Sequence, residues 1–197
     1  MSVRCLTRAA VMTAVALVIF IIELQIPTLV PVPGVKLGLA NIVTVFSMFL
    51  LGPAETVAIL VCRILLGSMF SGQMMSLLYS MSGGLLCYLV MLLMRNIVTY
   101  RQIWVCSVVG AIAHNIGQIA VAILVTNTPA LLAYLPVLIV SGIIAGLFTG
   151  FCAQFAVTKL KGLSDEMERQ NGRKKMKATP HFDIVPPGAD TRKNERL

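Results

Sequence analysis

Six stretches of nearly unbroken apolar residues, over 8–25, 38–51, 53–66, 73–94, 103–125 and 135–158, leave this chain few folds to choose from. A helix that crosses a bilayer needs about 20 such residues. In hydrocarbon each backbone N–H and C=O must find its partner inside the segment, so apolar runs of this length become α-helices. With 57% hydrophobic and 12% charged residues, a soluble globule of 197 residues would lack the charge to cover its surface. The expected fold class is an all-α integral membrane protein with six transmembrane helices. The second helix is short and is stopped by Gly52-Pro53. Proline then opens the third, at a first turn where its missing N–H costs nothing. The third is expected to end near residue 66, with Gly67-Ser68-Met69-Phe70-Ser71-Gly72 as a glycine-bounded turn.

The segment Pro31-Val32-Pro33-Gly34-Val35-Lys36, between the first two helices, cannot itself span. Two prolines remove donors and fix φ, and Gly34 admits dihedrals closed to other residues. Irregular backbone at membrane depth is tolerated only where protein or a water-filled cavity covers it. One reading makes the segment a re-entrant loop that caps a binding site, with Lys36 as a cation aimed inward. The other makes it an ordinary external turn with Lys36 among the headgroups.

Charge fixes the orientation. Arg4 and Arg8, Arg95 and Arg101, and Lys159 and Lys161 fall on one side of a six-helix bundle, whereas the connection over 126–131 carries no charge. The positive-inside rule then puts both termini on the cytoplasmic side of the membrane and the 31–36 segment outside. Arg4 and Arg8 before an apolar run imitate a signal peptide, but no small-residue cleavage site follows, so a retained first helix is expected. The net charge of +8 does not point to nucleic acid, because residues 159–197 hold ten of the sixteen basic residues and six of the eight acids. Residues 1–162 form the expected transmembrane domain. Residues 163–197 form a basic cytoplasmic tail, too polar to bury a core and expected to be disordered, with Arg173-Lys174-Lys175 available to anionic lipid. Five scattered cysteines without C-x-x-C spacing read as small buried hydrophobes, not as a metal or disulfide framework.

With this topology the polar residues of the spans share one external depth band: Glu23 and Gln25, Asn41, Arg63, Gln73, Ser76 and Ser80, His114, Asn115 and Gln118, and Ser141. The inner halves read as almost purely apolar. Ionisable side chains within spans are costly and usually face a bundle interior or water. Arg63 offers a planar fork of donors suited to carboxylate or phosphate. Snorkelling to the headgroups, or an ion pair with Glu23, would account for it equally well. His114 and Gln118 share a helical face, and Gly117 permits close approach of a ligand or another backbone. Interhelical hydrogen bonding is the alternative for this cluster. Lys36, Asn41, Arg63, His114, Asn115 and Gln118 are the candidate substrate ligands; no catalytic, metal or cofactor residue is nominated. Ala10-x-x-x-Ala14 and Gly142-x-x-x-Gly146-x-x-x-Gly150 are small-residue faces for close helix contact, with the glycines expected to pack internally.

Pro33-Gly34-Val35-Lys36-Leu37-Gly38-Leu39-Ala40-Asn41, Gly83-Gly84 and His114-Asn115-Ile116-Gly117-Gln118 resemble the bacterial family called heptaprenyl diphosphate synthase component I, or Gx transporter. The resemblance covers about residues 6–160. That family is similar to the substrate-binding S components of energy-coupling factor (ECF) transporters. The resemblance implies six helices, an external pocket for a small molecule capped by the loop after helix 1, and a coupling-subunit docking face at Ala10 and Ala14. It also implies partner ATPases, since the chain has no G-x-x-x-x-G-K-[ST] loop of its own. The enzyme name meets a chemical objection. Prenyl transfer needs clustered carboxylates to hold Mg²⁺ and diphosphate, yet residues 1–164 contain no aspartate. The expected function is a membrane subunit that captures substrate for ATP-driven uptake. The alternative is a non-catalytic membrane accessory of polyprenyl diphosphate or quinone biosynthesis.

Overall fold

In the computed structural model, which describes residues 3–26, 38–72, 74–99 and 102–178, the chain is helical and contains no strand among those residues. The helices are α1 (Val3–Glu23), α2 (Asn41–Leu50), α3 (Pro53–Ser71), α4 (Met74–Met94), α5 (Ile103–Thr126) and α6 (Leu135–Ala178). A 3-10 turn, Pro129–Tyr134, leads into α6. The chain divides into two compact units, Met1–Leu160 and Lys161–Leu197, and the division falls within α6.

Five helices are long and apolar enough to cross a membrane: α1, α3, α4, α5 and the stretch that includes α6. The chain is thus a multi-pass membrane protein. The ten residues of α2 rise only about 15 Å, half a hydrocarbon core. Its stop is local. The N–H groups of Leu51 and Gly52 both turn back to the Ser47 carbonyl, and Gly52 adopts φ +118°, which a side chain would resist. Pro53 then restarts the chain as α3. The 31–36 segment, Lys36, Gln73, Arg101 and residues 179–197 lie outside the described residues.

Two expected boundaries move. Helix α3 does not end near residue 66 but continues to Ser71, so Gly67 lies inside the helix and not in a turn. The reason is packing. The Phe20 ring of α1 sits directly over Gly67, and a Cβ there would come within 3.0 Å of it. The left-handed residue that ends the helix is Gly72, at φ +64°. Helix α6 likewise runs on to Ala178, past the end of the apolar run. The extension is rich in Glu, Arg, Lys, Met and Gln, which lose little rotamer freedom in a helix.

Small residues set the spacing of the bundle. Gly83 of α4 and Gly117 of α5 face each other, with a Cβ on Gly117 reaching 2.9 Å from the Ser82 carbonyl and 3.0 Å from Gly83 Cα. The approach permitted by Gly117 is therefore by another backbone. Gly142, Gly146 and Gly150 of α6 pack inward on α5, against Asn115, Val108 and Trp104 respectively, as the sequence pattern predicts. Trp104 and Phe151 stack beside them with centroids 6.0 Å apart.

The polar residues do not all fall in one band. Ser107 and Thr149 share a 3.0 Å hydrogen bond near the start of α5, and Thr44 and Ser47 are buried in α2. Hydroxyls on helices form such contacts at little cost because they also bond their own backbone, as Thr149 does with Gly146.

Candidate functional site

The site is assembled from the ends of α1 and α2 and from α3, α4 and α5. Glu23, at the last turn of α1, is 5% exposed. Its Oε1 accepts the N–H of Gly38 and its Oε2 the N–H of Ala40, at 3.3 Å. These are the unpaired donors at the start of α2, whose own N-cap residue, Ala40, has no side chain able to cap. A carboxylate from another helix supplies the missing cap, where the helix dipole also favours negative charge. Gly38 adopts φ +80° in the turn that presents its N–H to Glu23.

Asn41 opens α2 and passes the network to α3: its Oδ1 accepts a 2.7 Å hydrogen bond from Arg63 Nη2. Arg63 is 7% exposed, and the longer α3 sets it two turns inside the helix end. It does not snorkel. Glu23 and Arg63 also attract each other across the cavity they share, so the ion-pair reading keeps its electrostatic part. Their hydrogen bonds go elsewhere, since Glu23 holds the α2 backbone and Arg63 holds Asn41. The Arg63 Nε is buried without a hydrogen-bond partner.

His114 lies in a slot between two glycines. A Cβ on Gly38 would stand 3.1 Å from its Cδ2, and one on Gly83 would stand 3.0 Å from its Cε1. Gln118, one turn on, is fully buried and lies with its Cγ against Gly83. Glu23, Gly38, Arg63, Ser76, His114 and Gln118 line a common cavity, with Phe20, Ile64, Ser68 and Ser80 completing its wall. The space is about 20 Å³, room for about one water molecule.

Of the six nominated ligands, Arg63, His114 and Gln118 line this cavity and Asn41 braces it from behind. Asn115 does not belong to it. Its Nδ2 donates to the Leu138 carbonyl of α6 at 2.6 Å, and that amide fills the space left by Gly142. A shift of one residue turns a helical side chain by about 100°, so His114 and Asn115 cannot both face the same cavity. Lys36 lies outside the described residues. Of the cavity's polar members, Glu23, Ser68, Ser76 and Ser80 were left out of the ligand set, as was Gly38, although Glu23, Ser76 and Ser80 belong to the expected polar band. Glu23 carried a signal, as the only acid before Glu55.

Heptaprenyl diphosphate synthase component I is the family that matches, over residues 12–156. The chain belongs to that family. The match takes in every residue of the cavity, Asn41 and Ala14, whereas Ala10 falls just before it. No curated protein and no solved structure matches the chain.

Ala10 and Ala14 both face outward from α1, while Ala9 and Ala16 are buried. Val11 and Val18 flank them at 52% and 58% exposure.

Proposed function

We propose that this member of the component I family is a six-span, S-component-like membrane subunit that captures a small molecule for uptake driven by partner ATPases. The observation that carries the reading is the buried Arg63: a cation deep in a span, fixed at one end by Asn41, with its Nε unpartnered beside a cavity. A buried donor without an acceptor costs about 1–3 kcal/mol. A ligand that brings a carboxylate, phosphate or carbonyl oxygen recovers that cost. The cavity's present volume requires the site to widen on binding, and the 31–36 segment with Lys36 is the proposed cap. Glu23 holds the chain beyond that segment, at Gly38 and Ala40. In this arrangement both termini are cytoplasmic in a bacterial plasma membrane, and Ala10 and Ala14 dock a transmembrane coupling subunit.

The test is ligand retention. Protein solubilised gently from its native membrane carries a bound small molecule detectable by native mass spectrometry. Arg63→Ala lowers its occupancy about tenfold, the loss of one charge-assisted contact, while Asn115→Ala lowers stability and not occupancy. Equal occupancy in wild type and Arg63→Ala would falsify the capture site.

A second reading, favoured by the family description, is a non-catalytic accessory to a heptaprenyl diphosphate synthase. Co-purification of a soluble, aspartate-rich prenyl synthase in place of ATPases supports it.

A further inference from the structure

A cavity with room for about one water molecule admits a ligand only if one of its walls moves, and α2 is the wall with space to move into. Asn41, at its start, is bonded to Arg63 of α3. The Gly38 turn that leads into it lies against His114. Thr44 stands one turn after Asn41 on the same face of α2, and Thr56 stands two turns before Arg63 on the same face of α3. The α2–α3 contact therefore runs from the cavity down to the turn at Gly52, where Thr56 Oγ1 donates to the Gly52 carbonyl at 2.6 Å.

That contact is poorly sealed. The hydroxyls of Thr44 and Ser47 are buried, at 1% and 0% exposure, and neither has a hydrogen-bond partner among the described residues. A buried hydroxyl without a partner favours any arrangement that brings it water or an acceptor. Space lies on the other side of the helix. Ile42 and Phe46 each stand about 200° round α2 from Thr44. With Met12 and Val15 of α1 and Ala153 of α6 they wall an apolar crevice of about 230 Å³. The crevice opens at the exposed Val15, so lipid chains can leave it as α2 enters. About 300 Å³ also borders the far end of the helix, at Leu50 and Leu51. Val45, Met48 and Phe49 lie between the two faces, on the core, and slide across it.

The two ends of α2 are fastened so that it moves as one piece. Glu23 caps it from α1 through Gly38 and Ala40, which keeps its first turn formed. Gly52, at φ +118°, adopts a backbone conformation open to glycine and forms the hinge before Pro53. We infer, resting on the capture reading above, that ligand binding swings α2 about Gly52, away from α3 and into the crevice between α1 and α6. The ligand's oxygen takes the Arg63 fork from Asn41, which frees the first turn of α2, and Gly38 draws back from His114. Occupancy of the cavity thereby changes the lipid-facing surface of α1, α2 and α6, where a membrane partner can read it.

The experiment uses the full chain in nanodiscs, with sulfonatoethyl methanethiosulfonate, a charged thiol reagent that arrives only through water. In an otherwise cysteine-free chain, Thr44→Cys is expected to react about tenfold faster than the native Cys87 kept alone, because α2 parts from its neighbour and α4 does not. Thr44 and Cys87 are equally buried, at 1% exposure. Val15→Trp fills the crevice from a position 43% exposed. It slows the reaction of Thr44→Cys about tenfold by removing the outward state, and leaves Cys87 and the melting temperature unchanged. It also lowers ligand retention in native mass spectrometry, although Val15 lies outside the cavity. Thr44→Cys no faster than Cys87, or a rate untouched by Val15→Trp, overturns the swing even where retention depends on Arg63. Unchanged retention in Val15→Trp overturns the link between swing and binding. The expected labelling with retention indifferent to Arg63 sinks the capture site, and with it the ligand's part, while the swing stands.

Discussion

A methyl group on Gly83 would stand 2.7 Å from the His114 carbonyl oxygen and 2.8 Å from Gln118 Cγ. Helical backbone gives Gly83 no other role, so its value lies in the missing side chain. Gly83→Ala is expected to push α4 from α5, at a cost of about 1–3 kcal/mol, and to disturb His114 before any other site residue. Thermal melting in detergent measures the loss; an unchanged melting temperature would contradict the close approach of the helices. The glycine pairs and the His114-Asn115-Ile116-Gly117-Gln118 cluster are plain in the sequence. Which neighbour each one serves is not. His114 and Gln118 go to the cavity while Asn115 goes to α6, because the rotation of α5 is fixed by Gly117 packing on Gly83 and by Gly142 making room for an amide.

At the scale of elements, α2 depends on a group outside itself. Ten residues are too few to hold a helix by propensity alone, and Ala40 offers no cap. Glu23 bridges that gap from α1. Glu23→Gln keeps the shape but leaves one carbonyl oxygen to accept, opposite an NH₂ that can only donate. Hydrogen exchange at the Gly38 and Ala40 amides should rise by about five- to tenfold, equivalent to about 1 kcal/mol of capping. Exchange at Ile59 and Leu60, deep in α3, serves as the internal control and stays slow. Nothing in the local sequence marks Glu23 as a cap, since its partners lie 15 and 17 residues on. The length of α3 was hidden in a similar way: Gly67 looks like a helix break until the Phe20 ring is seen to occupy its empty side.

For the whole molecule, orientation and partnership are the testable quantities. In a cysteine-free background in intact cells, a membrane-impermeant maleimide should label Thr128→Cys and not Asn96→Cys. The reverse pattern would invert the topology and place the Arg63 cavity toward the cytoplasm. Ala14→Leu adds bulk to an outward face of α1. It should reduce co-purification of a coupling subunit and its ATPases severalfold, while occupancy of the capture site stays at the wild-type level. Undiminished co-purification would remove α1 as the docking face.

The order of long apolar runs, the break at Gly52-Pro53 and the inward glycine stripe on α6 were determined by sequence alone, because bilayer length and helical period leave no other solution. Tertiary structure decided how those helices rotate about their axes. That rotation sent Arg63, His114 and Gln118 to one cavity and Asn115 to a neighbouring helix, and recruited Glu23 as the cap of α2. Rotation depends on contacts between residues far apart in the chain, and apolar periodicity is nearly silent about it when lipid and protein interior are equally apolar.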